Sequence, residues 1–315
     1  MKRTVIITGA NTGIGFACAK TIAASDEPWH VILACRNLEK ARAAVGKIRA
    51  GCGQDNVEAM VLDLASLDSI RAFAQCFVEQ DLSLHGLVCN AGLVTLKGMT
   101  FTRDGFETMF GVNHLGHFLL ANLLVPHFCT PGRIVFVSSE VHDPRATRLG
   151  KLTPPYLLPA EQLARPERAQ QKMGQMSRYA TSKLCNILCA YELDRRLRRS
   201  GLSTADRPIT VNAYTPGPVP TTQMTQQMPV IATALLNQKW FTRFMGSELQ
   251  TEESAGTALA RLVLDPALES ISSRYFHVPD EKPSSQESYD QRKAEELWAE
   301  SAHLVQMTAE EAFLH

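Results

Sequence analysis

The chain has 315 residues, 45% of them hydrophobic, and its 32 Lys and Arg residues balance its 32 Asp and Glu residues. A chain of this length can bury a large core, while its neutral charge gives no electrostatic basis for binding nucleic acid or an anionic membrane. No apolar run approaches the ~20 residues of a membrane-spanning helix, so we expect no transmembrane segment.

Two features bear on where the protein is located. The first predicted strand begins at Thr4, which leaves no room before it for a signal peptide. The eight Cys residues are scattered, without a CxxC pair or zinc-like spacing, which indicates free thiols in a reducing compartment. We therefore expect a cytoplasmic protein without a metal site.

The first element in chain order is an apolar strand that leads into a glycine-rich turn. Residues 4–7 predict a buried parallel strand, residues 8–15 the turn, and residues 16–22 a helix packed on a sheet. The N-terminus of such a helix presents free N–H groups and a positive dipole end to an anion, usually a pyrophosphate. A nucleotide-binding strand–turn–helix unit is therefore predicted, although glycine turns also serve as plain connectors.

Strand and helix patterns alternate along most of the remaining chain. Strands are predicted at residues 31–35, 57–62, 86–90, 133–138 and 209–214, and helices at residues 38–50, 66–78, 105–128, 177–199 and 253–264. This alternation predicts an α/β fold, a Rossmann-type doubly wound parallel sheet in a single domain. Ligands of such sheets bind at the carboxyl ends of the strands.

Two segments interrupt the alternation, and a C-terminal extension follows it. Residues 140–178 form a Pro-rich insert, and residues 222–248 are rich in Met, Leu, Phe and Trp. Both follow strand ends, so we expect an extended substrate loop and a substrate lid. The alternative for residues 222–248 is an amphipathic helix that packs on the body. The domain is predicted to span residues 1–278, with residues 279–315 as a C-terminal extension docking on it.

Tyr179 and Lys183 form the main candidate for catalysis. Residues four positions apart share one face of a helix, and a nearby ammonium lowers a phenol pKa that is ordinarily near 10. Ser138-Ser139, at the end of the fifth strand, would place a hydroxyl beside the phenol. Such a Tyr–Lys pair alone is commonly an ordinary surface pair. The upstream glycine turn and the serine pair favour an acid–base site.

With these motifs in order, the chain resembles the short-chain dehydrogenase/reductase family down to about Ala260. The resemblance rests on Thr8, Gly9, Gly13 and Gly15, on Asn90-Ala91-Gly92, on Asn113, Ser139, Tyr179 and Lys183, and on Pro216-Gly217. It implies that Asn113, Ser139, Tyr179 and Lys183 are catalytic. It implies cofactor binding by Gly9, Asn11, Thr12, Gly13, Ile14, Gly15, Arg36, Lys40, Asp63, Leu64, Asn90, Ala91, Gly92, Tyr179, Lys183, Pro216, Gly217, Val219 and Thr221.

Within the family, the chain is similar to the branch of retinol dehydrogenases and protochlorophyllide reductases. The local likeness lies in residues 34–37, 113–118 and 182–186, and in the long gap between Ser139 and Tyr179. Pro218 stands where light-dependent protochlorophyllide reductases carry a cysteine. This departure disfavours a photochemical reaction.

The end of the second strand predicts the choice of cofactor. A site for NAD places an acidic residue there, whereas this chain has Arg36, with Lys40 one turn further on. A guanidinium can pair with a 2′-phosphate, so NADP(H) is predicted, and the alternative is a solvated surface arginine. By the resemblance, Asp63 meets the adenine amino group.

The predicted function is that of an NADPH-dependent oxidoreductase that interconverts a carbonyl and an alcohol. The apolar residues 222–248 and the insert favour a fairly large apolar substrate, of retinoid, steroid or polyketide type. The alternatives are a protochlorophyllide reductase-like reductase of a C=C bond and a non-catalytic dinucleotide-binding regulatory protein. The resemblance also allows a homodimer. His114 and His117 lack a third ligand at matching spacing, which predicts packed histidines and no metal.

Overall fold

The computed structural model describes residues 2–96, 98–167, 170–220 and 249–314. Its strands are β1 (Arg3–Thr8), β2 (Trp29–Cys35), β3 (Val57–Val61), β4 (Leu84–Cys89), β5 (Phe128–Val137), β6 (Ile209–Thr215), β7 (Tyr275–His277) and β8 (Asp280–Lys282). They form one sheet in the order β3-β2-β1-β4-β5-β6-β7-β8. Neighbouring strands are parallel except for β7 and β8. The predicted doubly wound parallel sheet is confirmed, with an antiparallel strand at one edge.

Helices connect the strands and cover both faces of the sheet. They are α1 (Gly13–Ala23), α2 (Leu38–Cys52), α3 (Leu67–Val78), α4 (Thr108–Phe110), α5 (Gly116–Leu124), α6 (Arg148–Leu152), α7 (Ala160–Ala164), α8 (Gln175–Arg199), α9 (Glu252–Leu264) and α10 (Gln291–Leu304). The start of α3 is fixed by Ser66, whose hydroxyl accepts the backbone N–H of Ser69 at 3.3 Å.

The helix predicted over residues 105–128 is wrong in its bounds. The chain there forms α4, a π-helix over Gly111–Leu115, α5 and a 3-10 turn, and Phe128 already begins β5. Gly105 has φ +80, which lies outside the helical region and is open to glycine. At the other end, Pro126 has no N–H group with which to continue a helix.

Of the two segments that interrupt the alternation, the structure describes most of the insert and none of the predicted lid. The described part of the insert contains α6, α7 and short 3-10 turns, and no strand. The predicted lid, residues 222–248, lies outside the described residues, as does Thr221.

The C-terminal extension joins the same sheet and core. β8 extends the sheet beyond β7, and α10 packs against α8. The ring of Trp298 lies edge-on to that of Phe118 at 4.8 Å, and Glu311 pairs with Arg71 at 2.7 Å. The described part of the extension is therefore tied to the domain at several points.

One helical stretch, Thr108–His127, is long and apolar enough to cross a bilayer, contrary to the expectation from the sequence. However, 89% of its apolar window is buried inside the fold. A core helix of a globular protein has the same properties.

Candidate active site

A cleft of about 390 Å³ opens at the carboxyl ends of the strands, where sheets of this type bind their ligands. The predicted residues that line it are Gly9, Asn11, Thr12, Gly13, Ile14, Gly15, Arg36, Asp63, Leu64, Asn90, Ala91, Gly92, Ser139, Tyr179, Lys183, Pro216, Gly217 and Val219. Asn113 lies buried behind the cleft wall. Lys40 does not line the cleft, and its backbone N–H instead caps α2 by donating to Asn37 at 2.9 Å.

The glycines of the turn are required for space or for backbone conformation. A Cβ atom on Gly15 would lie 2.5 Å from Nδ2 of Asn90 and 2.9 Å from the carbonyl oxygen of Gly9. Gly9 and Gly13 have φ +66 and +61, a conformation that side chains disfavour. Thr12, the N-cap of α1, makes no side-chain cap hydrogen bond, which leaves the first-turn N–H groups for an anion. This cradle fits the pyrophosphate of a dinucleotide.

Asn90-Ala91-Gly92 holds the turn from the neighbouring strand end. Nδ2 of Asn90 donates to the carbonyl of Thr8 at 2.8 Å, and the N–H of Ala91 donates to the Thr8 hydroxyl at 2.9 Å. A Cβ on Gly92 would lie 3.0 Å from Nζ of Lys183. The motif thus joins the phosphate cradle to the catalytic candidates.

Tyr179 and Lys183 project from α8 toward the strand end that carries Ser139. The hydroxyl of Ser139 lies close enough to that of Tyr179 to lower the phenol pKa, while that of Ser138 donates to the backbone carbonyl of Lys183 at 2.8 Å. Nζ of Lys183 lies 5.7 Å from the centre of the Tyr179 ring and donates to the carbonyl of Val137 at 3.0 Å. Of the two serines, Ser139 is therefore the one beside the phenol.

The electrostatics of this group differ from the prediction. Burial raises the pKa of Tyr179 to about 12, and the hydrogen bond from Ser139 only partly opposes that rise. Burial also lowers the pKa of Lys183 to about 8. The net lowering of the phenol pKa that the sequence predicts is wrong, because burial raises this pKa by more than the neighbouring groups lower it. At neutral pH, Tyr179 is protonated and can act as a proton donor.

Asn113 occupies the π-helix and supports the cleft wall. Its Oδ1 accepts the N–H of Leu93 at 2.9 Å, and its Nδ2 donates to the carbonyl of Leu93 and to the hydroxyl of Ser182, each at 3.0 Å. The side chain therefore fixes the chain after Gly92. The catalytic role of Asn113 that the resemblance implies stays a prediction.

His114 and His117 are buried and hydrogen-bonded within the protein. Nε2 of His117 lies 2.9 Å from the Thr8 hydroxyl, and Nε2 of His114 lies 3.0 Å from that of Ser301. Burial lowers the pKa of His117 to about 4 and that of His114 to about 3. Among the described residues there is no cluster of three metal-ligating side chains.

Sequence reasoning missed a further set of residues that line the cleft. They are Ala34, Cys35, Leu62, Leu93, Val94, Val112, Val137, Ser138, Glu140, Val141, Leu149, Pro218, Pro220, Leu249 and Glu252. Most of them adjoin a predicted residue in the chain, and this adjacency is the one signal that could have found them. Leu149 of α6 and Leu249 reach the cleft from separate segments.

Comparison with known proteins identifies relatives of this chain. The family model of short chain dehydrogenases matches residues 3–147, and that of the AcuH dehydrogenase domain matches residues 230–314. Human WW domain-containing oxidoreductase is 38% identical, over 96% of this chain and 68% of that protein. Human retinol dehydrogenase 13 is 36% identical, over 98% and 86%. Protochlorophyllide reductase A of Oryza sativa subsp. japonica is 34% identical, over 96% and 80%.

Solved structures share the fold. A protein of uncharacterised function from Mycobacterium paratuberculosis superposes with a TM-score of 0.68 at 28% identity, over 96% of this chain and 93% of that one. A short chain dehydrogenase of Salmonella enterica serovar Typhi gives 0.62 at 22% identity, over 89% and 97%, which shows the fold alone.

Fold and site together define an oxidoreductase that binds a nicotinamide dinucleotide. More specifically, the chain belongs to the short-chain dehydrogenase/reductase family, in the branch that contains the retinol dehydrogenases.

Proposed function

We propose that this protein is an NADP(H)-dependent enzyme that interconverts a carbonyl and an alcohol on a fairly large apolar substrate. The observation that carries the proposal is that Ser139, Tyr179 and Lys183 line one cleft together with the phosphate cradle, with Nζ of Lys183 5.7 Å from the centre of the Tyr179 ring. The same three side chains argue against a non-catalytic binding protein. A protein that only binds a nucleotide has no need of a phenol, a hydroxyl and an ammonium arranged as an acid–base group.

The proposed chemistry assigns a task to each side chain. Bound NADPH would supply a hydride to the carbonyl carbon. Tyr179 donates its proton to the carbonyl oxygen, so that the carbonyl, one hydride and one proton together become the alcohol. Ser139 hydrogen-bonds that oxygen and the phenol. The ammonium of Lys183 stabilises the phenolate that remains after proton transfer.

Catalysis by Tyr179 can be tested on a panel of retinal, steroid ketones and protochlorophyllide, followed by NADPH absorbance. Tyr179→Phe removes the transferable proton and should lower kcat at least ~10²-fold on any accepted carbonyl. Tyr156→Phe is the matched control, because Tyr156 is an exposed tyrosine of the insert that does not line the cleft. A near-normal kcat of Tyr179→Phe would refute the mechanism.

Arg36 supports the assignment of NADP(H). It lines the cleft directly after β2, where an NAD site would have an acid. Arg36→Ala should weaken NADPH binding by about 1.5–3 kcal/mol, the size of a hydrogen bond to a charged group, and leave NADH binding nearly unchanged. Lys40→Ala is the matched control, because Lys40 lies outside the cleft wall. Titration calorimetry with NADPH and with NADH measures both affinities in each variant. If Arg36→Ala weakens the binding of both cofactors equally, the role of Arg36 is structural.

The lining of the cleft supports an apolar substrate. Leu93, Val94, Val141 and Leu149 contribute aliphatic side chains to its wall. Such a surface suits a substrate that loses apolar area to the pocket, and retinoids match the name of retinol dehydrogenase 13.

A second candidate is the reduction of a C=C bond, which the likeness to protochlorophyllide reductase A favours. Pro218 lines the cleft and offers no proton at its position. Turnover of protochlorophyllide in light, with none of retinal or steroid ketones, would establish this candidate in place of the first.

A further inference from the structure

A buried histidine holds the backbone of Ser139. Nδ1 of His142 lies 2.7 Å from the carbonyl oxygen of Ser139, which also accepts the backbone N–H of His142 at 3.1 Å. His142 is 2% exposed and ends the 3-10 turn Glu140–His142, for which Ser139 is the N-cap. The ring therefore reaches back across one turn to the residue beside Tyr179.

The second ring nitrogen of His142 contacts the C-terminal extension. The backbone N–H of Ser285 points at Nε2, with 3.1 Å between the two nitrogens. A carbonyl can only accept and an amide N–H can only donate, so the two contacts assign the proton to Nδ1 and the lone pair to Nε2. Burial lowers the pKa of His142, which keeps this neutral form at physiological pH.

The segment that carries Ser285 is itself held in place. The hydroxyl of Ser284 lies 2.9 Å from that of Tyr191 on α8 and 2.7 Å from that of Ser288, which donates to the carbonyl of Ser285 at 2.6 Å. The ring of Tyr275 packs on the other side, 5.0 Å from that of His142. The histidine thus spans from a rigid part of the extension to the active site.

We infer that His142 is a positioning residue for Ser139, through which residues of the C-terminal extension hold the active-site serine in reach of Tyr179. The inference rests on the proposed function, because that function places the Ser139 hydroxyl on the reacting oxygen. The competing interpretation is that His142 only fills and satisfies the core. The two interpretations differ in one consequence. Only if His142 positions Ser139 does loss of the hydrogen bond between Ser285 and His142 change the environment of Tyr179.

Ser285 offers a matched pair of variants. Its φ of −62 is that of proline, so Ser285→Pro keeps the local φ while it replaces the N–H group that contacts His142 by a ring carbon that displaces the imidazole. Its hydroxyl has no hydrogen-bond partner in the described part of the chain, so Ser285→Ala breaks no such bond. Ser285→Pro should lower kcat about tenfold or more, the effect of a small misplacement at a reacting centre, with Kd for NADPH within about twofold of wild type. Ser285→Ala should match wild type.

Variants of His142 test the hydrogen bond between Nδ1 and the carbonyl oxygen of Ser139, and they do not require a proline substitution. In His142→Asn the side-chain amide keeps a donor near the position of Nδ1, whereas His142→Phe keeps neither bond. The expected order of kcat is wild type, then His142→Asn, then His142→Phe. The inference would be overturned if His142→Phe and Ser285→Pro fold and keep the wild-type kcat. It would also be overturned if the loss of kcat came with a comparable loss of NADPH affinity and a lower Tm, because a general structural defect would then explain the result.

A spectroscopic readout separates this inference from the proposed function. The ¹³Cζ chemical shift of Tyr179 at neutral pH reports the hydrogen bond at the phenol oxygen, and Tyr179→Phe assigns the signal. The shift should change in Ser285→Pro and His142→Phe and stay at the wild-type value in Ser285→Ala. If wild type reduces no carbonyl, the proposed function fails, while the Tyr179 shift still confirms or refutes the positioning by His142.

Discussion

The two faces of the sheet bury different kinds of side chain. On the face covered by α1, α2 and α9, every buried residue of these helices is apolar or glycine. On the other face, the π-helix, α5 and α8 bury polar and charged side chains, among them Asn113, His114, His117, Asn122, Lys183, Asn186, Glu192 and Asp194. We call this second face the polar face and the first the apolar face. The catalytic candidates Tyr179 and Lys183 lie on α8 and therefore belong to the polar face.

The difference shows that the two faces of the sheet are stabilised in different ways: one by pairing of buried polar groups, the other by close packing of apolar surfaces. A buried charge is costly unless a partner compensates it, as Arg196 at 2.7 Å and Arg195 at 2.8 Å compensate Glu192. The apolar face depends on shape instead: a Cβ on Gly256 of α9 would lie 2.4 Å from that of Ala17 of α1. We therefore expect pH to act on the polar face, and added volume to act on the apolar one.

Acidification should have the largest effect. The pKa values of His114 and His117 are lowered from 6.5 to about 3 and about 4 by burial. Below pH 6.5 the unfolded chain binds protons that the folded chain does not. The free energy of unfolding should then fall by up to about 1.4 kcal/mol per pH unit for each histidine as the pH falls from 6.5 toward 4. Urea unfolding at stepped pH measures the slope.

Variants assign that slope to the polar face. His114→Phe removes one titrating ring among the rings of Phe110 and Phe118, and should make the slope shallower. His303→Gln, which removes an exposed histidine of α10, is the control and should keep the wild-type slope. An unchanged slope in His114→Phe would show that the acid response arises elsewhere.

Added volume on the apolar face should have an intermediate effect. In Gly256→Ala the new methyl would also lie 2.8 Å from the backbone nitrogen of Cys18, so α1 and α9 must separate. Overpacking of this kind should lower the free energy of unfolding by about 1–3 kcal/mol at pH 7. The pH slope should stay that of wild type, because no titrating group is touched. A changed slope would mean that the two faces are coupled.

The smallest effect on stability is expected at Gly46, a glycine in a helix of the same face with free space around it. Gly46 lies exposed within α2, and a Cβ there meets no atom within 4 Å. Gly46→Ala should raise the free energy of unfolding by about 0.5–1 kcal/mol, because alanine loses less backbone entropy in a helix. It is the matched control for Gly256→Ala: destabilisation by both would indicate that helix geometry, and not contact between α1 and α9, limits this face.

Short-range patterns explain why much of the site could be predicted. The glycine turn is contiguous with its strand and helix, and Tyr179 and Lys183 share a helix face at a spacing of four, so local sequence places them. The helix bounds at residues 105–128 were missed because a helical pattern does not show where a glycine with positive φ or a proline interrupts it. The pKa of Tyr179 was missed because desolvation depends on everything packed around the ring.

His142 marks the limit of prediction from the chain alone. Its partners are Ser139, three residues away, and Ser285, whose approach depends on β7, β8 and the hydrogen bonds of Ser284 and Tyr191. No periodicity in the sequence indicates that contact, because side-chain patterns report which face is buried and not which distant segment covers it.

By itself, the sequence determined the alternation of strands and helices, the phosphate cradle and the pairing of Tyr179 with Lys183. Each of these follows from spacing within a few residues or from the periodicity of apolar positions. Only the tertiary structure decided which of Ser138 and Ser139 meets the phenol, how far burial shifts the pKa values of Tyr179 and Lys183, and that the C-terminal extension reaches the active site through His142. These depend on desolvation and on hydrogen bonds between segments far apart in the chain, which arise only when the whole core is packed.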